Sequence, residues 1–398
     1  MVTLPERDPL LLHRDPLPRD LSLRRLVLDA MGVHERPQRI ERIRRVGPDI
    51  AGPLLDFSLR NRVAPIVALA LEEAFPSGYP RRAEYRALYA REDARMGVLL
   101  ERLDTAAEAL HHEGIAMVAL KNAGIARGIY PHRGACPMGD LDVLVDRERF
   151  AEAHRVIESV GFRLAARGTV EAADLEAGLE SGGTEYVGTF GGEEVWFELQ
   201  WRPVAGRWIR RDQEPSGSEL IQRSVPIPGT RVRLLHPDDN MLQVGLHTAK
   251  HTYVRAPGLR LHTDVDRLAV FAPPDWDALC RRCADLEVGT AVFFSLALAR
   301  VLLGSPVPDS ALEALAPAEW KRRVIFDWLS RVDLFEPDAK KFTRPEMAVF
   351  TALLYDDVPG LVASALDARR DELSLTGLPR LLPRGAARLR DLVTRYQR

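Results

Sequence analysis

The sequence predicts an α+β protein: a small mixed sheet with helices, flanked by helical N- and C-terminal segments. Three observations predict it. Apolar residues recur at helical spacing from about residue 21 to 113 and again from about 236 onward. Between them, at about 114–205, short apolar runs and alternating stretches follow strand spacing. Gly-containing connections and one amphipathic helical stretch separate those runs.

In chain order, residues 1–20 are rich in proline and charge and read as a loosely held segment. Residues 21–113 read as a helical domain containing "PLLDFSLRNRVAPIVALALEEAF" and "MGVLLERLDTAAEALHHEG". Leu99, Leu100, Leu103, Ala107 and Leu110 fall on one helical face, and Gly114 follows as a stop. "IAMVAL" (115–120) reads as a strand, and "KNAGIARGIYPHRGACPMG" as a Gly-containing connection. "DLDVLVD" reads as a second strand. "DRERFAEAHRVIESVGF" then reads as a helix with Phe150, Val156, Ile157 and Val160 inward. "EEVWFELQWRP" alternates cleanly: Val195, Phe197, Leu199 and Trp201 take one face, Trp196, Glu198 and Gln200 the other. The boundaries expected are 114–205 for the core and 206–398 for a helical C-terminal domain. Its tail, 379–398, carries Arg380, Arg384, Arg388, Arg390, Arg395 and Arg398 against Asp391. That tail reads as a solvated helix face, with docking to an acidic partner as the sharper alternative.

The bulk numbers exclude several classes. The chain has 398 residues, 46% hydrophobic and 28% charged, with a net charge of −2. That is a globular composition, and the near-neutral balance argues against a protein built to coat nucleic acid. The longest apolar run, "AVFFSLALARVLLG", contains Arg300 and is too short to span a bilayer. The N-terminus lacks the apolar stretch of a signal peptide, and three cysteines make no disulfide framework. A cytoplasmic protein with no membrane partner is the expectation. Cys280 and Cys283 form a lone C-x-x-C on a helical stretch, read as structural. Of 55 basic residues only 5 are lysines, so each lysine stands out.

Chemistry concentrates in the two clearest strands. Leu141, Val143 and Val145 share one face of the second strand, which leaves Asp140 and Asp142 side by side on the other. A carboxylate placed in such a strand costs free energy unless something positive meets it. If the 193–200 strand is a neighbour, Glu198 joins them at one sheet edge. Two Mg²⁺ ions a few ångströms apart need shared carboxylates of this kind. Lys121 ends the first strand beside the connection, in reach of a phosphate, and Arg133 lies between the two, as a salt bridge or a phosphate contact. His247 and His251 stand at i, i+4 with zinc-like spacing, but Thr248 occupies the place where a zinc-protease motif needs glutamate. They read as packing or substrate-contact residues, with Lys250 on a neighbouring face. Asp264 and Asp266 diverge on a helix, and Asp264 reads as half of a buried ion pair.

The segment "VALKNAGIARGIYPHRGACPMGDLDVLVDRERFAEAHRVIESVGF" resembles the uncharacterised nucleotidyltransferase family of the DNA polymerase β-like superfamily. That family carries an L-K-G strand end, an arginine-bearing stretch and an acidic D-[IL]-D strand. "FELQWR" resembles its later E-L-H-W strand, and "LLHPDDNMLQVGLHTAKH" and "LRLHTDVDRLA" its C-terminal helical motifs. The likeness runs from about residue 45 to 310. It implies a polymerase-β-like nucleotidyltransferase core and Mg²⁺-dependent transfer of NMP from an NTP, ATP among them, to a hydroxyl or phosphate acceptor. A small metabolite, a sugar phosphate or a peptide or protein side chain would serve as acceptor. By that analogy Asp140 and Asp142 hold two Mg²⁺ (or Mn²⁺) ions and the triphosphate. Glu198 completes the metal that activates the acceptor hydroxyl. Lys121, Asn122, Arg133 and Lys250 would bind the nucleotide, and His247, His251 and Gln200 would contact substrate. The chain departs from the family pattern at Asn122, where the family has glycine, with Ala123 after it, and at Gln200, where the family has histidine. Two other readings stay open: a non-catalytic nucleotide- or partner-binding protein on the same fold, and an RNA 3′-end nucleotidyltransferase.

Overall fold

The computed structural model describes residues 23–165, 175–204, 213–336 and 339–356. The N-terminal segment 1–20 and the arginine tail 379–398 lie outside them. Five helices come first: α1 (Leu23–Met31), α2 (Arg36–Val46), α3 (Ala51–Arg60), α4 (Ala64–Ala74) and the long α5 (Arg82–His112). A mixed region follows: β1 (Val118–Ala119), α6 (Lys121–Gly128), β2 (Asp140–Leu144), α7 (Phe150–Ser159), β3 (Arg163–Ala165), α8 (Leu175–Ser181), β4 (Gly183–Phe190) and β5 (Glu193–Gln200). Then come α9 (Gly217–Arg223), β6 (Val225–Pro226), β7 (Arg233–Leu234), α10 (Pro237–Lys250), α11 (Arg260–Phe271), α12 (Trp276–Asp285), α13 (Gly289–Leu303), α14 (Asp309–Leu315), α15 (Glu319–Ser330) and α16 (Arg344–Leu353). The expected α+β architecture, a sheet flanked by helical segments, is what forms. Among the described residues no helix is long and apolar enough to cross a membrane.

Seven strands make one mixed sheet in the order β3-β4-β5-β2-β1-β7-β6. β2 runs parallel to β5 and antiparallel to β1, and β1 runs parallel to β7. The sheet therefore takes in residues 225–234, beyond position 205. The β4–β5 hairpin turns through Gly191 and Gly192, at φ 59° and 85°. Two consecutive positive φ values are what a tight hairpin turn requires and glycine supplies at least cost.

The apolar stripes land inside. Leu99, Leu103, Ala107 and Leu110 of α5 are buried, as are Leu141, Val143, Val145, Val195, Phe197 and Leu199 of the two central strands. These join one large core that also takes in the C-terminal helices. On the opposite face of the sheet Val118, Leu120, Leu144, Leu220 and Leu235 form a second, smaller cluster. α9 supplies Leu220 to it. The acidic face of β2 is thus polar at its Asp140 end and apolar at its Leu144 end.

Two expected elements differ. The 115–120 strand shrinks to Val118–Ala119, and the connection after it opens as a helix, α6, not a loop. The glycines that made this stretch look like a loop are packing positions. A Cβ on Gly124 would lie 2.9 Å from the Ala119 carbonyl oxygen, and one on Gly128 2.8 Å from Leu234. Glycine there lets the helix sit directly on β1 and β7.

Candidate functional site

β2 and β5 pair in parallel with Asp142 opposite Glu198 and Asp140 opposite Trp196. Residues opposite one another in register share a sheet face, so Asp140, Asp142 and Glu198 converge. Each offers a carboxylate oxygen, and these oxygens lie within 4.8 Å of one another. Asp142 is buried, while Asp140 and Glu198 are half-buried. The trio expected from strand alternation is therefore one cluster, open on the Asp140 side.

Lys121 completes it. The Leu120 N–H donates to the Asp142 carbonyl oxygen at 2.9 Å, which continues the β1–β2 ladder. α6 then begins at Lys121, with Leu120 as its N-cap. Lys121 adopts φ 51°, the left-handed region, and its Nζ lies 2.5 Å from Asp142 Oδ1. Gln200, one residue past the end of the family-like E-L pair, donates from Nε2 to the same Oδ1 at 2.9 Å.

Charge balance in the cluster is uneven. Burial pushes the Asp142 carboxyl up to about 6; Lys121 works against this and Glu198 adds to it. Burial alone would lower the Lys121 ammonium, but Asp142, Glu198 and Asp140 outweigh it and raise it above the ordinary lysine value. Three crowded carboxylates facing one ammonium form an arrangement that a divalent cation relieves, because the cation favours every charged carboxylate at once. Hard oxygen donors of this kind suit Mg²⁺ or Mn²⁺.

The remaining candidates fall into three groups. Arg133 is held by Asp93 of α5 through a paired contact at 2.9 and 3.1 Å. This is the salt-bridge alternative, and the hydrogen-bonded Asp93 carboxylate raises the Arg133 guanidinium above its ordinary value. Asn122 sits in the first turn of α6 with its amide against Asp264 of α11; turned so that its nitrogen faces the carboxylate, as donor and acceptor require, it lies 2.7 and 3.0 Å from the two oxygens. The His247 and His251 rings lie against each other with centroids 4.7 Å apart and planes tilted by 46°. Burial, with Lys121, His251 and Lys250 adding to it, holds His247 well below the ordinary histidine value. Burial likewise takes His251 down to about 3, so both rings are neutral. The His247 Nδ1 is buried without a hydrogen-bond partner among the described residues. Among the described residues the histidines join no cluster of metal-ligating groups. Lys250 ends α10 as an exposed residue whose charge is felt by both histidines.

The sequence reading missed the arginines that hold the approach to β2. Arg95 donates to the Met138 carbonyl at 2.7 Å and Arg260 to that of Pro137 at 2.6 Å. Arg267 donates to the Ala135 carbonyl at 2.7 Å and lies over the Tyr130 ring at 4.2 Å. A signal for the last two existed: Arg260, Asp264 and Arg267 follow i, i+4, i+7 spacing, which places all three on one face of α11.

No curated protein and no solved structure matches the chain. Residues 51–304, well over half of it, match the uncharacterised nucleotidyltransferase family. The acidic pair on β2, its parallel partner on β5 and the lysine-bearing helix all fall within that span, and the chain belongs to this family of nucleotidyltransferases.

Proposed function

We propose that the protein transfers a nucleoside monophosphate from an NTP to a hydroxyl or phosphate acceptor, with two Mg²⁺ ions, or Mn²⁺, held by Asp140, Asp142 and Glu198. The observation that carries this reading is the convergence of three carboxylate oxygens within 4.8 Å on neighbouring parallel strands. Bound there, the cations would neutralise phosphate charge and lower the pKa of the acceptor hydroxyl. The chain's own groups do the rest. Gln200 fixes the orientation of the Asp142 carboxylate, leaving its second oxygen to the site. Lys121, at the start of α6, presents an ammonium and the positive end of a helix to the triphosphate. Glu198 takes the proton as the acceptor oxygen attacks the α-phosphorus and pyrophosphate leaves. Most of the acceleration is positioning and charge neutralisation. Asn122 belongs to the nucleotide-binding set through the helix turn it shares with Lys121, and Lys250 stands further out in that set; Arg133 would join it only by exchanging its Asp93 partner for a phosphate. His247 and His251, neutral and next to Lys121, contact the acceptor. The acceptor is a small metabolite, a sugar phosphate or a peptide side chain in preference to RNA, since the chain has no basic excess.

The test is melting temperature with and without Mg²⁺ and each NTP, followed by pyrophosphate release. Asp140→Asn and Asp142→Asn keep volume while removing a metal charge partner. Both variants are expected to fold, to lose the Mg²⁺-dependent rise in melting temperature and to release no pyrophosphate. Glu198→Gln is expected to lose transfer and keep weak Mg–NTP binding. A wild type without Mg–NTP stabilisation, or Asn variants as active as wild type, would leave the aspartates as a polar sheet face and favour a non-catalytic protein.

A further inference from the structure

Asp264 is buried in α11 and pairs in charge with Arg267 of its own helix, but the hydrogen bonds of the arginines on that helix go elsewhere. Arg260 donates to the Pro137 carbonyl, and Arg267 to the Ala135 carbonyl and the Cys136 sulfur. Arg267 Nη1 stays 4.0 Å from Asp264 Oδ1, beyond hydrogen-bond distance. The close partner is instead the Asn122 amide: the orientation that sets donor against acceptor, with its nitrogen toward Asp264, places that nitrogen 2.7 and 3.0 Å from the two carboxylate oxygens. A buried carboxylate is costly unless it is hydrogen-bonded, so this clasp has something to hold it shut.

Asn122 directly follows Lys121, whose left-handed backbone costs on the order of 1 kcal/mol. Such a conformation persists only where its surroundings over-determine it. The Lys121 ammonium is tied to Asp142 on one side, and the next residue is clasped to Asp264 on the other. The same face of α11 holds the chain entering β2 through Arg260 and Arg267. Both halves of the site, the lysine helix and the aspartate strand, are therefore aligned on one helix.

We propose that Asp264 is a positioning residue. Through its two hydrogen bonds with Asn122 it fixes the first turn of α6, and Lys121 with it, so that ammonium and carboxylate trio meet a nucleotide triphosphate together. Asp264 touches neither metal nor nucleotide in this scheme, and its role rests on the nucleotidyl-transfer reading above. It also gives the asparagine a function where the family has glycine: the side chain replaces close backbone approach by an external clamp.

A double-mutant cycle tests it. Wild type, Asn122→Ala, Asp264→Ala and the double variant are titrated calorimetrically with ATP, GTP, CTP and UTP in Mg²⁺, with melting temperatures recorded alongside. At pH 8, where Asp264 is ionised, each single change is expected to weaken the tightest-binding nucleotide about tenfold, as loss of a hydrogen bond to a charged group does. The double variant should weaken it no further, because both changes remove the same bond. Asp264→Asn, whose side-chain oxygen still accepts from Asn122, should stay within about threefold of wild type. A merely structural Asp264 would lower the melting temperature and leave affinity unchanged, and that result overturns the proposal, as does an additive double variant. Asn122→Ala alters a half-exposed first turn, so unchanged affinity in that variant alone also overturns it, whatever Asp264→Ala does to folding. A wild type that binds none of the four nucleotides sinks the nucleotidyl-transfer reading and this role together. A wild type that binds, with a flat cycle, sinks this role only.

Discussion

Asp264 and the buried histidines pull stability in opposite directions as pH changes. Burial pushes the Asp264 carboxyl up to about 7, with Arg267 and Arg260 working against it. Between about pH 4 and 7 the folded chain keeps a proton that the unfolded chain has released, so this residue's contribution falls as pH rises through that window. His251 and His262, taken by burial down to about 3 and about 4, act the other way: stability is lost as pH falls below about 6.5, where the unfolded chain binds protons the folded one refuses. Asp264→Asn cannot ionise. Its stability relative to wild type is therefore expected to improve by on the order of 2 kcal/mol between about pH 5 and 8, read by urea denaturation across that range. A constant difference would mean that Asp264 stays charged or stays neutral throughout. At the histidine pair, metal analysis of purified protein is expected to find no stoichiometric zinc; one zinc per chain, lost in His247→Ala, would reverse the packing and substrate-contact reading. The sequence made Asp140, Asp142 and Glu198 legible because strand alternation assigns faces without knowing any partner. It could not supply the partner of Asn122 or of Arg133, since Asp264 and Asp93 lie far away along the chain and only the fold brings them close.

At the scale of elements, α6 is where local signals mislead. "KNAGIARG" has the glycines of a loop, yet each marks a place where helix and strand touch. Gly124→Ala puts a methyl 2.9 Å from the Ala119 carbonyl, a backbone atom that cannot swing aside. It is expected to cost about 1–3 kcal/mol and to weaken Mg–NTP binding as α6 shifts off β1, measured by thermal unfolding and calorimetry. Gly128→Ala meets only the ends of Leu234 and Ile227 side chains and should cost less. An equal cost for the two would mean that the close approach at Ala119 is not what glycine is there for. The β4–β5 hairpin was the opposite case. "TEYVGTFGGEEVWFEL" contains alternating residues around Gly-Gly, so the sequence carries a hairpin signal for β4 as well as β5.

Over the whole molecule, the N-terminal helices are bound to the C-terminal ones through buried polar groups. Asp266 of α11 accepts from the Val33 N–H and from Ser305 Oγ, each at 2.7 Å. Asp266→Ala leaves the Val33 N–H unpaired, while Ser305 Oγ keeps the Ala299 carbonyl at 3.1 Å as acceptor; it is expected to cost roughly 1–3 kcal/mol in a single cooperative transition, checked by urea unfolding with two spectroscopic probes. Sheet order was not legible in the sequence, because nothing local says that β7 pairs with β1 or that β5 runs parallel to β2. That last pairing has a kinetic consequence. Asp142 and Glu198 belong to distant stretches of chain, joined only once the β4–β5 hairpin has docked on β2. A divalent cation held across those strands closes a long loop, and such closures form late in folding. Its stabilisation should therefore slow unfolding while leaving the folding rate nearly unchanged. In a chevron plot, Mg²⁺ should lower the unfolding arm and leave the folding arm in place, so that the metal acts as a latch on the finished sheet.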